Sequence, residues 1–226
     1  MTILSIQHLN FGFRGRTLFK DAQMTIPLPG IFGLAAPAGS GKTTLFNLIS
    51  GLLPSTGVIR LFDTPITPAV VSQNVAYVPN TDNAAGMLRG SDYVALIAAA
   101  QRITRQRQTA VLHTLGVDDF ARQRLSRYTP GMRQRLQMAL VLLLDRPLNL
   151  LDEPLDDVDP ASLTTICDAI SRLGRAGKTV IVSTGQPDKL VAVTNTLFVL
   201  TKQQIVEVSG GGIDDLTTAT DQSFLN

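Results

Sequence analysis

The run Gly39-Ser40-Gly41-Lys42-Thr43-Thr44 constrains this chain more than any other stretch. It follows a short apolar segment, Ile31 to Ala35, and opens an apolar-periodic segment, Thr43 to Ser50, that Gly51 closes. The pattern predicts a buried strand, a glycine-bearing loop and a helix, in that order. Backbone N–H groups of such a loop, with those of the helix N-terminus behind it, point at one spot and suit a chain of phosphates. Lys42 is then placed to reach β and γ phosphates, and Thr43 to offer Mg²⁺ an oxygen. Ala36 stands where a glycine usually opens such a loop and keeps the side chain small. Pro37, Ala38, Gly39, Ser40, Gly41 and Thr44 complete the expected cradle.

A second segment, Leu148-Asn149-Leu150-Leu151-Asp152-Glu153, reads as an apolar strand that delivers two acids at its carboxyl end, where ligands gather in open α/β sheets. Asp152 is expected to hold Mg²⁺ directly or through water. Glu153 is expected to polarise an attacking water as general base. Only Glu153 and Glu207 of the 18 acidic residues are glutamates, which sets Glu153 apart from a casual surface acid.

Along the chain, Ile3, Ile6 and Leu9 mark a first strand and Gln23 to Leu28 a second, ended by the Pro29-Gly30 turn. Asp92 to Leu115 and Ala121 to Leu144 carry helical patterning, with Met132, Leu136, Ala139, Leu140 and Leu143 on one face of the second. Strand and helix then alternate. Leu148 to Leu151 and Thr179 to Ser183 read as buried parallel strands, with the Pro160 to Leu173 helix between them and a hairpin from Leu197 to Val208. This order predicts a doubly wound α/β core, about 1–82 and 146–226, with N-terminal antiparallel strands and an inserted helical lobe, about 83–145. A chain of 226 residues with 44% hydrophobic content can bury such a core as one domain.

No apolar run approaches the ~20 residues of a membrane-spanning helix. The first ten residues alternate like a strand and lack the build of a signal peptide, so the chain is expected in the cytosol. Cys167 has no partner for an internal disulfide, and with His8 and His113 it makes no cluster of metal-ligand spacing. A net charge of +2 does not point to nucleic acid. The charge is uneven, however: Arg102 to Arg135 holds eight arginines against Asp118 and Asp119, a net of +6 that leaves −4 for the rest. That stretch is either a set of solvated helix faces or a surface attracted to a membrane protein or anionic lipid. It lacks the aromatic interleaving of a nucleic-acid surface.

In their order, and over essentially the whole length, these motifs resemble the ATP-binding subunits of ABC transporters, built on a P-loop NTPase core. The resemblance implies ATP and Mg²⁺ as cofactors and a membrane permease subunit as partner. It also implies a homodimer or a heterodimer with a second ATP-binding subunit, peripheral on the inner face of the cell membrane. Phe13, in Leu9-Asn10-Phe11-Gly12-Phe13, matches the aromatic that stacks on adenine, with Phe11 as the rival position. Tyr128 to Arg135 matches the family signature, with Thr129 for serine, Pro130 for the first glycine and Met132 for glutamine. Thr129 and Gly131 would then face the γ-phosphate held by the opposite subunit, although Thr129-Pro130 also makes a plain helix cap.

Asp159 matches the acidic position of the segment that crosses the dimer, and capping of the Pro160 helix accounts for it equally well. Asn80 stands where the family has a glutamine that contacts Mg²⁺ and water. Gly185 stands where it has a histidine reaching the γ-phosphate, leaving Gln186 as a candidate donor. The implied activity is ATP hydrolysis that powers transport through dimer closure, weakened by Gly185. The alternative is an ATP-binding, hydrolysis-poor regulatory partner in a heterodimer. The form of the signature looks more like exporter than importer cassettes.

Overall fold

The structure is a computed structural model and describes residues 1–79, 87–194 and 196–209. Strand β1 (Leu4–Phe13) buries Leu4, Ile6 and Leu9, and β2 (Arg16–Ile26) buries Leu18, Phe19, Ala22, Met24 and Ile26. They pair antiparallel from Leu4↔Ile26 to Phe13↔Arg16. Helped by β4 (Thr56–Leu61) and β5 (Thr64–Pro65), they form a four-stranded sheet of order β2-β1-β4-β5. The second strand starts well before the expected Gln23. Leu18 and Phe19 are both buried at its beginning, so strict alternation is lost there, and register shifts between Ile6 and Gly12 accompany the change.

The second sheet has six strands in the order β10-β9-β3-β8-β7-β6. Its parallel members are β3 (Ile31–Ala35), β6 (Val75–Tyr77), β7 (Leu148–Leu151), β8 (Thr179–Thr184) and β9 (Thr196–Thr201). An antiparallel edge strand, β10 (Gln204–Ser209), completes it as the expected hairpin with β9. Every residue of β7 and β8 is buried. Central parallel strands are covered on both faces, which is why these segments read as continuous apolar runs. Because β8 lies between β3 and β7, the carboxyl ends of all three emerge side by side.

The helices are α1 (Lys42–Ile49), α2 (Pro68–Asn74), α3 (Gly90–Ala100), α4 (Arg105–Thr114), α5 (Pro130–Leu144) and α6 (Pro160–Arg175). Helix α6 buries Ile166, Ala169, Ile170 and Leu173, the stripe of a half-exposed helix. The chain divides into two compact units: one takes 1–77, 146–156 and the chain from 170 onward, the other 78–145 and 157–169.

Within the second unit the two expected helical stretches are shorter. Asp92 to Leu115 breaks after Ala100, with Arg102 left-handed at φ 54° and Thr104 capping α4 by accepting from the Arg107 N–H at 3.3 Å. Ala121 to Leu144 is helical only from Pro130. Residues 121–129 form turns and one 3₁₀ turn, Leu125–Arg127. Proline lacks an N–H and clashes with the preceding turn, so a helix can begin at Pro130 but not run through it. Helix α5 also buries Met138 and Val141 besides the expected face, while Met132 is only half-buried.

The approach to α5 is fixed by an aromatic cluster. The rings of Phe120 and Tyr128 meet edge-on at 5.0 Å, and the Arg135 guanidinium lies 4.9 Å from the Phe120 centroid. The Tyr128 hydroxyl donates to Phe120 O at 3.2 Å, and burial pushes its pKa up to about 12. A β-carbon at Gly90 would overlap that hydroxyl. Gly90→Ala is therefore expected to destabilise the protein by about 1–3 kcal/mol. The added Tyr128→Phe change should recover part of the loss, as read from thermal and chemical denaturation midpoints.

Candidate active site

Strand β3 ends at Ala35, and the loop from Ala36 leads directly into α1. The Ala36 N–H donates to Thr184 O at 3.3 Å, and the Ser40 N–H closes a tight turn on Pro37 O at 3.2 Å. Gly39 (φ 74°) and Gly41 (φ 108°) both occupy the left-handed region, which explains glycine at these two places. Helix α1 carries no acid in its first turn, so the positive end of its dipole is free for an anion. Lys42 is 3% exposed and folds back into the loop. Its ammonium donates to Ala36 O at 2.7 Å and Pro37 O at 3.2 Å, and pairs with Glu153 Oε1 at 3.1 Å.

The acids at the end of β7 meet this loop although 109 residues separate Thr43 from Asp152. The Thr43 hydroxyl donates to Asp152 Oδ2 at 2.7 Å, and the Ser183 hydroxyl donates to Asp152 Oδ1 at 2.8 Å. Ser183 Oγ in turn accepts the Glu153 N–H at 3.0 Å. A hydroxyl and a carboxylate oxygen this close are the hard oxygen donors that Mg²⁺ takes together with water, so the residues fit that ion. The loop, with Phe13, Arg16, Leu18 and Glu153, lines an open cleft of about 260 Å³. Phe13 is 56% exposed, and Phe11 packs edge-on against it at 5.3 Å. The two rival aromatics are thus neighbours, and Phe13 is the one that lines the cleft. Behind Asp152, the Tyr77 phenol is pushed well above its ordinary pKa, first by burial and then by the Asp152 charge.

Where the end of β8 leaves the sheet, Gly185 presents no side chain. Its N–H donates to Asp156 Oδ2 at 3.0 Å, and the Thr184 hydroxyl donates to Asp156 Oδ1 at 2.5 Å. Lys189 adds a bond from its ammonium to Leu155 O at 2.9 Å. Three consecutive residues, Ser183, Thr184 and Gly185, therefore tie down the loop that carries Asp152 and Glu153. Gln186 is exposed, and its backbone N–H bonds Thr184 Oγ1 at 2.9 Å.

In the second unit Thr129 caps α5 through its hydroxyl, which accepts the Met132 N–H at 3.2 Å. Asp159 accepts the Ser162 N–H at 2.9 Å and the Ser162 hydroxyl at 2.7 Å, and these bonds hold its carboxyl below the usual range. Gly131 sits against this cap: a β-carbon there would overlap Asp159 Oδ2 and come within 2.6 Å of Ser162 Oγ. Local packing thus gives Thr129, Gly131 and Asp159 structural tasks of their own. Asn80 lies outside the described residues. Sequence reasoning missed Arg16, Ser183 and Asp156. Ser183 and Asp156 carry no local signal, since only strand order brings them to the site. Arg16 had one, its place beside the Gly15 turn.

A phosphate-type loop and paired acids at the carboxyl edge of a parallel sheet define a nucleotide-binding P-loop fold. A family model described as ABC transporter matches residues 19–156. The chain is 28% identical over 212 residues to an uncharacterised ABC transporter ATP-binding protein of Bacillus subtilis, covering 92% of this chain and 70% of that one. It is 28% identical over 214 residues to a taurine import ATP-binding protein of Yersinia pestis, covering 91% and 83%. A solved ATP-binding subunit of an ABC transporter has the same fold, with TM-score 0.82 at 18% identity over 97% of this chain and 99% of that one. The chain belongs to the ABC transporter family, among its ATP-binding subunits.

Removing the Asp156 carboxylate leaves the Gly185 N–H without its acceptor and the Thr184 hydroxyl with only the longer bond to Gln186 O at 3.4 Å. Asp156→Ala is expected to cost about 1–3 kcal/mol of stability, with Asp156→Ser losing less. Urea denaturation checks this through the midpoint at constant slope.

Proposed function

We propose that this chain binds and hydrolyses ATP to power a membrane transporter, with two cassettes closing on ATP and a permease as the partner that moves. The observation that carries the reading is the meeting of Lys42 with Glu153 and of Thr43 with Asp152. In this proposal the loop N–H groups and Lys42 hold the β and γ phosphates, and Phe13 stacks on the adenine. Thr43 and Asp152 would hold Mg²⁺, which when bound would neutralise phosphate charge. Lys42 exchanges Glu153 Oε1 for a phosphate oxygen, and the released Glu153 accepts a hydrogen bond from the attacking water and takes its proton. Thr129, Gly131 and Asp159 would serve the site of the opposite cassette, and Asn80 would offer its amide to Mg²⁺ and water.

The whole chain acts as a single cassette, with about 83–145 as its helical lobe. No described helix is long and apolar enough to cross a membrane, so the proposed place is peripheral, on the inner face, docked to the permease. Export is the direction that the Tyr128 to Arg135 form supports.

A second reading rests on Gly185, where no side chain can reach a phosphate. In it, the chain holds ATP and closes a heterodimer whose other subunit hydrolyses. Phosphate release by the purified protein with MgATP separates the two. Slow turnover that Glu153→Gln removes, with binding retained, supports the first. Binding without turnover in the unaltered protein supports the second.

A β-carbon at Gly185 would meet only ordinary contacts, Asp156 Oδ2 at 3.9 Å and Ala36 O at 4.0 Å, so the backbone has room for one there. Gly185→His is expected to raise turnover by up to about a hundredfold, the low end of what one well-placed donor contributes. Steady-state phosphate release at saturating MgATP measures it.

A further inference from the structure

We propose that Arg16 is a second cation of the nucleotide site, gripping phosphate oxygens from the tip of the β1–β2 hairpin; the inference rests on the ATP-site reading above. The hairpin turns at Arg14 and Gly15, with Gly15 at φ 85°, and its last cross-strand pair is Phe13↔Arg16. Directly paired residues of an antiparallel ladder project from the same face. The aromatic and the guanidinium are therefore presented together, and both line the cleft. A β-carbon built on Gly39 would stand 3.9 Å from Arg16 Nη1, which places the guanidinium over the phosphate loop.

Charge accounting within the cleft singles out the same residue. Its lining holds two cations, Lys42 and Arg16, and one acid, Glu153. The Lys42 ammonium has three donors, and three acceptors take them: Ala36 O, Pro37 O and Glu153 Oε1. The Arg16 guanidinium has no such partner among the described residues, and it is exposed at the mouth. An incoming nucleoside di- or triphosphate meets Arg16 as the available cation, before Lys42 has released Glu153. Arginine suits this task because its planar fork matches phosphate oxygens two at a time. Arg14, from the same turn and of the same charge, does not line the cleft.

That pair of arginines supplies the test. Isothermal titration with MgADP avoids turnover and reads affinity in the unaltered protein, Arg16→Ala, Arg16→Gln, Arg16→Lys and Arg14→Ala. Arg16→Ala and Arg16→Gln should each weaken MgADP by about tenfold, the low end for a lost charge-assisted bond at an exposed position. Arg16→Lys should recover part of the loss, and Arg14→Ala should stay within about twofold, as a distant screened charge does. Equal losses for Arg14→Ala and Arg16→Ala would overturn the inference, because they would report the field of the turn rather than a contact. So would Arg16 variants that bind like the unaltered protein, and in that case the ATP site itself stands. If the unaltered protein takes up no MgADP, the ATP-site reading falls and this inference with it.

Discussion

A lysine ammonium removed from water has to be met by acceptors. Lys42, 3% exposed, is met by two carbonyls of the loop that precedes it and by the carboxylate of Glu153, just past the end of a strand far along the chain. The loop is thus wrapped around its own cation, and its path follows from that wrapping as much as from its glycines. The same ammonium couples the loop to Glu153, so in the proposed mechanism whatever draws Lys42 toward a bound phosphate also frees that acid.

That coupling exists only because the parallel sheet puts β8 between β3 and β7. Strands buried at every position carry no charged side chain along their length, so the charged groups collect where they end. Ser183 is the clearest product of this arrangement. Its hydroxyl donates to Asp152 and accepts from the Glu153 backbone, fixing both acids from the neighbouring strand. Asp156 continues the tie on Thr184 and Gly185, which holds the acid-bearing loop in place. A loop anchored this way gives Glu153 a defined place.

The loop, the acid pair, the apolar parallel strands and the final hairpin were legible because each is a local pattern. Glycines at fixed offsets, a lysine before a helix and an apolar run ending in two acids need no partner to be recognised. Helix boundaries in the second unit were less legible. Apolar periodicity runs on through Ala121 to Tyr128, but the proline at Pro130 and the cap at Thr129 decide where a helix can start. Thr129, Gly131 and Asp159 were legible as residues of interest, while the packing of Gly131 on the Asp159 cap was not, since that contact joins the starts of two helices far apart in the chain.

By itself the sequence determined the composition of the site: a phosphate-type loop, Lys42, Thr43, Asp152 and Glu153, and the absence of a side chain at Gly185. Those are properties of short windows, and local chemistry is enough to state them. Tertiary structure alone decided who meets whom. It paired Lys42 with Glu153, set Ser183 and Asp156 behind the acids, and brought Arg16 over Gly39. The physical reason is that strand order and hairpin register are fixed by burial of the whole sheet, a property summed over the chain and written in none of its segments.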